Sequence, residues 1–323
     1  MLLINARKTL LFMTALGLGA IGQQAMADAR VTHEQRLKVG SVDLNLGLGL
    51  LNGRSQEKVY DDGEKLSQLT WDIKQVPTLH LGVAFHPLDW LSYDVRGWTR
   101  ISDGNSHMKD YDWTSDEDVG WTHYSDHPKT RLKNAWQLEL AATAWALKRE
   151  DLALGVTAGY QRSRFDWESR GGSYIYSSED GFRDVVGQFP AGEKGISYQQ
   201  TYDTPYLGLV GFYTLKNWTL ESRFKYSQWV RSRGFDTHHL RATTFSDDNG
   251  NTGRMQSLAL GLTYSVNPQL SFKAGIDHQV YASTKGNMLI KHAPSGYSEH
   301  TEPKSSAQSN RTTMTTLAVA YQF

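Results

Sequence analysis

The feature that most constrains this chain is an apolar residue at every second position, repeated in segment after segment. Val42, Leu44, Leu46, Leu48 and Leu50 alternate with Asp43, Asn45 and glycines. The same period returns over 79–85, 136–140, 152–156, 218–226, 258–264, 270–276 and 317–323. Period two places one apolar face on each strand. The other face is polar, as Thr219, Glu221, Arg223 and Lys225 show. A soluble sandwich has the same two faces, so alternation alone does not decide between lipid and a protein core.

Two further observations favour lipid. Arg7 and Lys8 precede an apolar run from Leu10 to Ile21, followed by Ala25-Met26-Ala27 and Asp28. This layout predicts a cleaved signal peptide over 1–27, with the mature chain beginning near Asp28. The run is too short to span a bilayer as a helix, which takes about 20 residues. The connections also alternate in length. Short ones are expected at 86–89, 147–151, 215–217 and 266–269, and long polar ones at 53–64, 101–131, 166–195, 232–253 and 283–311. Together they predict an all-β, ten-stranded antiparallel transmembrane barrel over 28–323, with short turns at one end and long extracellular loops at the other. Trp71, Trp90, Trp98, Trp145, Trp218 and Trp229 are assigned to the two interfacial girdles.

Composition excludes some functions. With 34 basic and 34 acidic residues, no basic stripe is expected and nucleic acid is not a predicted partner. The absence of cysteine removes disulfides, thiolate zinc sites and cysteine nucleophiles.

Chemistry is then sought on the long loops and the strand ends beneath them. Asp110 with Asp112, and Asp236 with His238, are pairs two residues apart. In extended chain such side chains point the same way, and His239 points away. A regular strand continuing from Phe224 and Tyr226 would turn Asp236 and His238 outward. A register break is therefore expected between Val230 and Asp236, with Gly234 as its place. A histidine beside an aspartate suits general-base work. A pair of carboxylates can hold a water, with one of them kept protonated. Spacing alone leaves solvated loops and metal ligation open. Asp110, Asp112, Asp116 and Glu117 resemble a calcium loop only loosely, and Asp236, His238 and His239 lack a third zinc ligand. His300 with Glu302 reads as an exposed loop. Arg170-Gly171-Gly172-Ser173 lacks the lysine and helix of a phosphate loop.

Dispersed stretches carry a family resemblance. They include Lys65-Leu66-Ser67-Gln68-Leu69 before Trp71, Gly159-Tyr160-Gln161 and Arg170-Gly171-Gly172-Ser173-Tyr174-Ile175-Tyr176-Ser177-Ser178-Glu179. Gly181-Phe182-Arg183-Asp184, Pro205-Tyr206-Leu207-Gly208-Leu209 and Lys225-Tyr226-Ser227 extend the match. Over nearly the whole mature chain the sequence resembles the omptins, outer-membrane proteases of Gram-negative bacteria. The resemblance implies that Asp110 and Asp112 form an aspartate couple facing an Asp236–His238 dyad across an outward-facing groove. A water between them would attack the peptide bond, with no metal or cofactor. It also implies cleavage at basic residues of protein or peptide substrates. Glu57, inward by its odd position, matches one acid of the specificity pocket. The second acid falls at Gly234, and His123 stands where an aspartate is common, so selection for Arg or Lys is expected to be weakened or restricted. Lipopolysaccharide is implied as an activator on the barrel wall through Tyr160 and Arg164. Arg162 replaces an acid there and Thr201 replaces a base. A monomer is expected.

The alternative reading is a non-enzymatic adhesin or invasin barrel that works through its long loops. A porin is disfavoured because Arg223, Lys225 and Trp229 are expected to crowd the lumen.

Overall fold

The structure, a computed structural model, describes residues 37–115 and 119–323. The predicted signal peptide, and Asp116 and Glu117 of the loose calcium-like loop, lie outside the described residues. Thirteen strands form one antiparallel sheet. They are β1 (Val42–Asp61), β2 (Glu64–Leu88), β3 (Leu91–Arg100), β4 (Asn105–Asp112), β5 (His123–Lys148), β6 (Leu152–Tyr176) and β7 (Val185–Leu215). The rest are β8 (Trp218–His238), β9 (Thr243–Asp248), β10 (Gly253–Ser265), β11 (Leu270–His292), β12 (Tyr297–His300) and β13 (Ser306–Gln322). Strand β1 pairs with both β2 and β13, which closes the barrel, while the short β12 pairs with β11 alone. The pairs β3/β4, β9/β10 and β12/β13 each act as one interrupted strand, so the chain makes ten passes.

The belt is written in the alternation. Leu44, Leu46, Leu48, Leu79, Leu81, Leu138, Leu140, Leu207, Leu209, Leu258 and Leu260 all point outward and are exposed. A continuous apolar ring of this kind is the lipid-facing surface of a membrane barrel. Crossing needs about 9–11 residues, whereas β2 has 25 and β7 has 31, so the sheet projects far beyond the belt.

The long connections are accordingly shorter than expected. Between β1 and β2 only Asp62 and Gly63 remain, both at positive φ. Beyond lipid both faces of a strand can be wet, so the apolar period fades while main-chain pairing continues.

The projecting half is joined to the belt through a packed plug. Trp71 stacks on Tyr198, Tyr198 on Trp167, and Trp167 on Phe165, with Leu51, Leu69, Ile73, Met108 and Leu132 around them. Trp71 is fully buried in this plug, and Trp98 packs against it. Trp145 is buried with Ala153 and Val210. Of the six tryptophans assigned to the girdles, only Trp90, Trp218 and Trp229 are largely exposed. Alternation assigns a face, but an inward aromatic and a girdle aromatic look alike when the inner space is itself apolar. Trp229 does not crowd the lumen, because it faces out. Below the plug lies a cavity of about 370 Å³ whose lining includes Arg96, Glu139, Arg223 and Lys225.

Candidate active site

The groove sits above the plug, and two walls build it. On the first wall, Glu57 of β1 pairs in register with Leu69 of β2, and Leu69 pairs with Asp110 of β4. One turn further out, Ser67 faces Asp112, which pairs in turn with His123 of β5. On the second wall, Asp236 of β8 lies between Tyr198 of β7 and Phe245 of β9. His238 ends the strand.

The second wall faces inward because of a register break, though not at Gly234. Along β8 the inward residues are Arg223, Lys225 and Ser227, then Val230, Ser232, Gly234 and Asp236. The parity changes at Gln228 and Trp229, which are both exposed. The ladders to β7 and β10 shift register at the same place. The Ser227 hydroxyl accepts the Trp229 N–H at 3.1 Å, which satisfies a donor that the ladder loses there. Gly234 itself sits in regular strand, with Gln200 and Asp247 beside it.

Asp236 is 2% exposed, and its Oδ2 accepts the Nε2–H of His238 at 2.8 Å. This fixes the tautomer and leaves the Nδ1 lone pair as the basic site. Arg241, in the short 3-10 turn His239–Arg241 that follows β8, donates to that Nδ1. Opposite, Ser67 donates to Asp110 Oδ1 at 3.4 Å. Burial first, then the charges of Asp112 and Asp236, holds the Asp110 carboxyl well above the usual carboxylate range. Burial also raises Asp112, against the lowering effects of Ser67, His123, Arg241 and His238. Charges from opposite walls thus act on one another, so the two pairs share one space. His239 turns away to bond Ser197 at 2.8 Å, and His300 and Glu302 are exposed.

Two further acids enter the groove. Glu57 is 2% exposed and its carboxyl stands well above its ordinary range, from burial and then from Asp236, Asp247 and Asp110. Asp247 of β9 is pushed up to about 7 by burial and by Asp236. Sequence reasoning did not single out Asp247, Arg241 or Ser67 as functional. Ser67 falls within Lys65-Leu66-Ser67-Gln68-Leu69, one of the stretches that carry the family resemblance, but nothing in the spacing of Asp247 or Arg241 marks them. Among the described residues, no group of three or more His, Asp or Glu side chains converges to hold a metal ion.

Tyr160, Arg162 and Arg164 share the outer wall of β6 with Asp203 of β7 and Arg233 of β8. The Tyr160 hydroxyl donates to Asp203, and Arg162 lies 3.5 Å from it. Arg233 reaches its other oxygen at 2.6 Å. Arg164 pairs with Asp166 at 2.9 Å. Thr201 pairs with Arg164 on one side and Arg233 on the other, so a base stands next to the position where one was missing.

The omptin family model matches residues 38–323. The plasminogen activator of Yersinia pestis is 34% identical over 85% of this chain and 87% of its own length. The outer membrane protease OmpP of Escherichia coli is 34% identical over 87% and 90%. The crystal structure of the Escherichia coli outer membrane protease OmpT superposes with a TM-score of 0.85 at 32% identity, covering 88% of this chain and 97% of that one. With this agreement in sequence and in ten-stranded architecture, the chain belongs to the omptin family of outer-membrane β-barrels.

Proposed function

We propose that this protein is an outer-membrane endopeptidase that hydrolyses peptide bonds at or near basic residues, with its groove facing outside the cell. The observation that carries the reading is the Asp236–His238 hydrogen bond of 2.8 Å, with Asp110 and Asp112 on the opposing wall. A water between the walls gives one proton to His238 Nδ1 as its oxygen attacks the scissile carbonyl carbon. Asp236 holds the ring and stabilises the imidazolium. The protonated member of the aspartate couple donates a hydrogen bond to the developing oxyanion, while the ionised one orients the water. Collapse of the tetrahedral intermediate breaks the C–N bond, and the proton on His238 passes to the leaving amine. Arg241 has to leave Nδ1 before the water can be activated. This is an aspartic-type mechanism in which the nucleophile is water rather than a side chain.

Lipopolysaccharide is proposed as the activator, bound at the wall of Tyr160, Arg162, Arg164 and Arg233, and the protein acts as a monomer. The arginines there are already paired with Asp166 and Asp203, so anionic lipid must compete with internal carboxylates. Refolded protein with lipopolysaccharide is expected to cleave a dibasic fluorogenic peptide. Asp236→Ala and His238→Ala are each expected to lower kcat/KM by about 10³-fold. Turnover that survives both substitutions would refute the mechanism, and a wild type with no turnover of any basic peptide would favour the adhesin reading.

A further inference from the structure

Glu57 and Asp247 are buried carboxylates that the proposed hydrolysis does not use. Glu57 Oε2 and Asp247 Oδ1 have no hydrogen-bond partner. The charges acting on Glu57 are those of Asp236, Asp247 and Asp110, all of its own sign. Asp247 feels Asp236 from β8, against the lowering effect of the Ser306 hydroxyl of β13. Tyr198 of β7 faces both acids, and its phenol is raised well above its ordinary value by burial and then by Glu57 and Asp247. Among the described residues, neither carboxylate forms an ion pair, and the charges that shift them are negative. Buried carboxylates are ordinarily paired. An unpaired couple at the edge of a cleft is a place where an incoming group has to supply the positive charge.

Gly234 accounts for how Asp247 reaches this place. The two are cross-strand partners. A Cβ built at 234 would lie 2.7 Å from Asp247 Oδ2 and 3.3 Å from its Cβ and Cγ. The carboxylate of Asp247 therefore fills the room that any side chain from 234 would need. A side chain at 234 would require the Asp247 carboxylate to swing from its present place, and the glycine there leaves that place to Asp247. Asp236 joins this pocket to the reacting centre, since Oδ2 holds His238 while Oδ1 is buried without a partner.

We propose that Asp247 supplies, in place of an acid at 234, the second carboxylate of the basic-residue pocket in which the family resemblance already sets Glu57, and is its specificity-determining residue. The assignment rests on the endopeptidase reading for its catalytic consequence but not for the binding of a cation. Cation entry displaces the protons that the empty pocket holds, so KM for basic substrates falls as pH rises through about 7.

The test uses refolded full chain with lipopolysaccharide and two matched peptides, with arginine or its neutral isostere citrulline before the scissile bond. Agmatine binding by calorimetry is measured beside it. Asp247→Asn is expected to lower kcat/KM for the arginine peptide about 10- to 100-fold, chiefly through KM, and to weaken agmatine by a similar factor. The citrulline peptide should change by less than about twofold. Gly234→Asp with Asp247→Ser should recover cleavage that Asp247→Ser alone loses. Unchanged arginine kinetics in Asp247→Asn, or a double variant no better than Asp247→Ser, would overturn the assignment and leave the endopeptidase standing. Agmatine binding that depends on Asp247 in a wild type that cleaves neither peptide would keep the pocket and remove the endopeptidase.

Discussion

Buried charge is arranged in opposite ways in the two halves of the barrel. In the lumen beneath the plug, Glu139 accepts from Arg96 at 2.6 Å, from Lys225 at 3.1 Å and from the Tyr206 hydroxyl. Lys225 also reaches Gln161 at 2.7 Å. Arg96, Lys225 and Glu139 each have an opposite charge and a hydrogen bond there, although Arg96 Nε and Arg223 Nη1 are left without a partner among the described residues. In the groove, Glu57, Asp110, Asp236 and Asp247 crowd together, and three of them carry an oxygen with no partner. The lumen network pairs opposite charges across strands, whereas the groove gathers buried carboxylates whose charges act on one another. The same residue type is structural in one half and receptive in the other, and its neighbours decide which.

The comparison breaks most sharply under charge removal. Glu139→Gln should destabilise the barrel by about 3–5 kcal/mol, because Lys225 and Arg96 lose the carboxylate that both of them bond. Denaturant unfolding in detergent micelles measures this, and an effect below 1 kcal/mol would mean the lumen pairs hold nothing. Glu57→Gln and Asp247→Asn should have the opposite sign, stabilising by about 1 kcal/mol near neutral pH as activity falls. The pH dependence follows from linkage. A carboxyl whose folded pKa lies above its unfolded value binds protons more readily when folded, so its contribution to stability declines as pH rises between the two. For Asp247 that window runs from about 4 to about 7. Asp247→Asn should flatten the wild-type decline across this window. A variant whose stability falls with pH as steeply as the wild type's would show that the crowding lies elsewhere.

Much of this was legible in the sequence, for reasons that also mark where legibility ends. Period two carries face, so Leu44 to Leu50 were correctly set toward lipid and Glu57 toward the inside. Residues two apart share a face, which is why Asp236 and His238 were paired and His239 set aside. Position along the barrel axis is not carried by period, and Trp71 was accordingly assigned to a girdle instead of the plug. The break at Gln228 and Trp229 follows from mismatched ladders on both sides of β8, a property of three strands that one segment does not display. Gly234 read alone suggests a missing acid. Only the pairing of β8 with β9 shows what stands over it.

The smallest expected effect concerns Arg241, a base in contact with the dyad. Its guanidinium bonds His238 Nδ1 and lowers both Asp110 and Asp112. A positive neighbour favours the ionised carboxylate, so its removal raises both groups further. In Arg241→Ala the acid limb of the kcat/KM profile should therefore move to higher pH, by less than about one unit because the residue is exposed. Arg241→Lys, which keeps the charge but not the planar fork, should hold the limb in place while freeing Nδ1. Above the limb, kcat in both variants should stay within about twofold of wild type or rise, since the base no longer has to shed its resting partner. An acid limb that does not move in Arg241→Ala would mean that the aspartate couple is not what titrates there, and the groove's carboxylates would then be crowded without being catalytic.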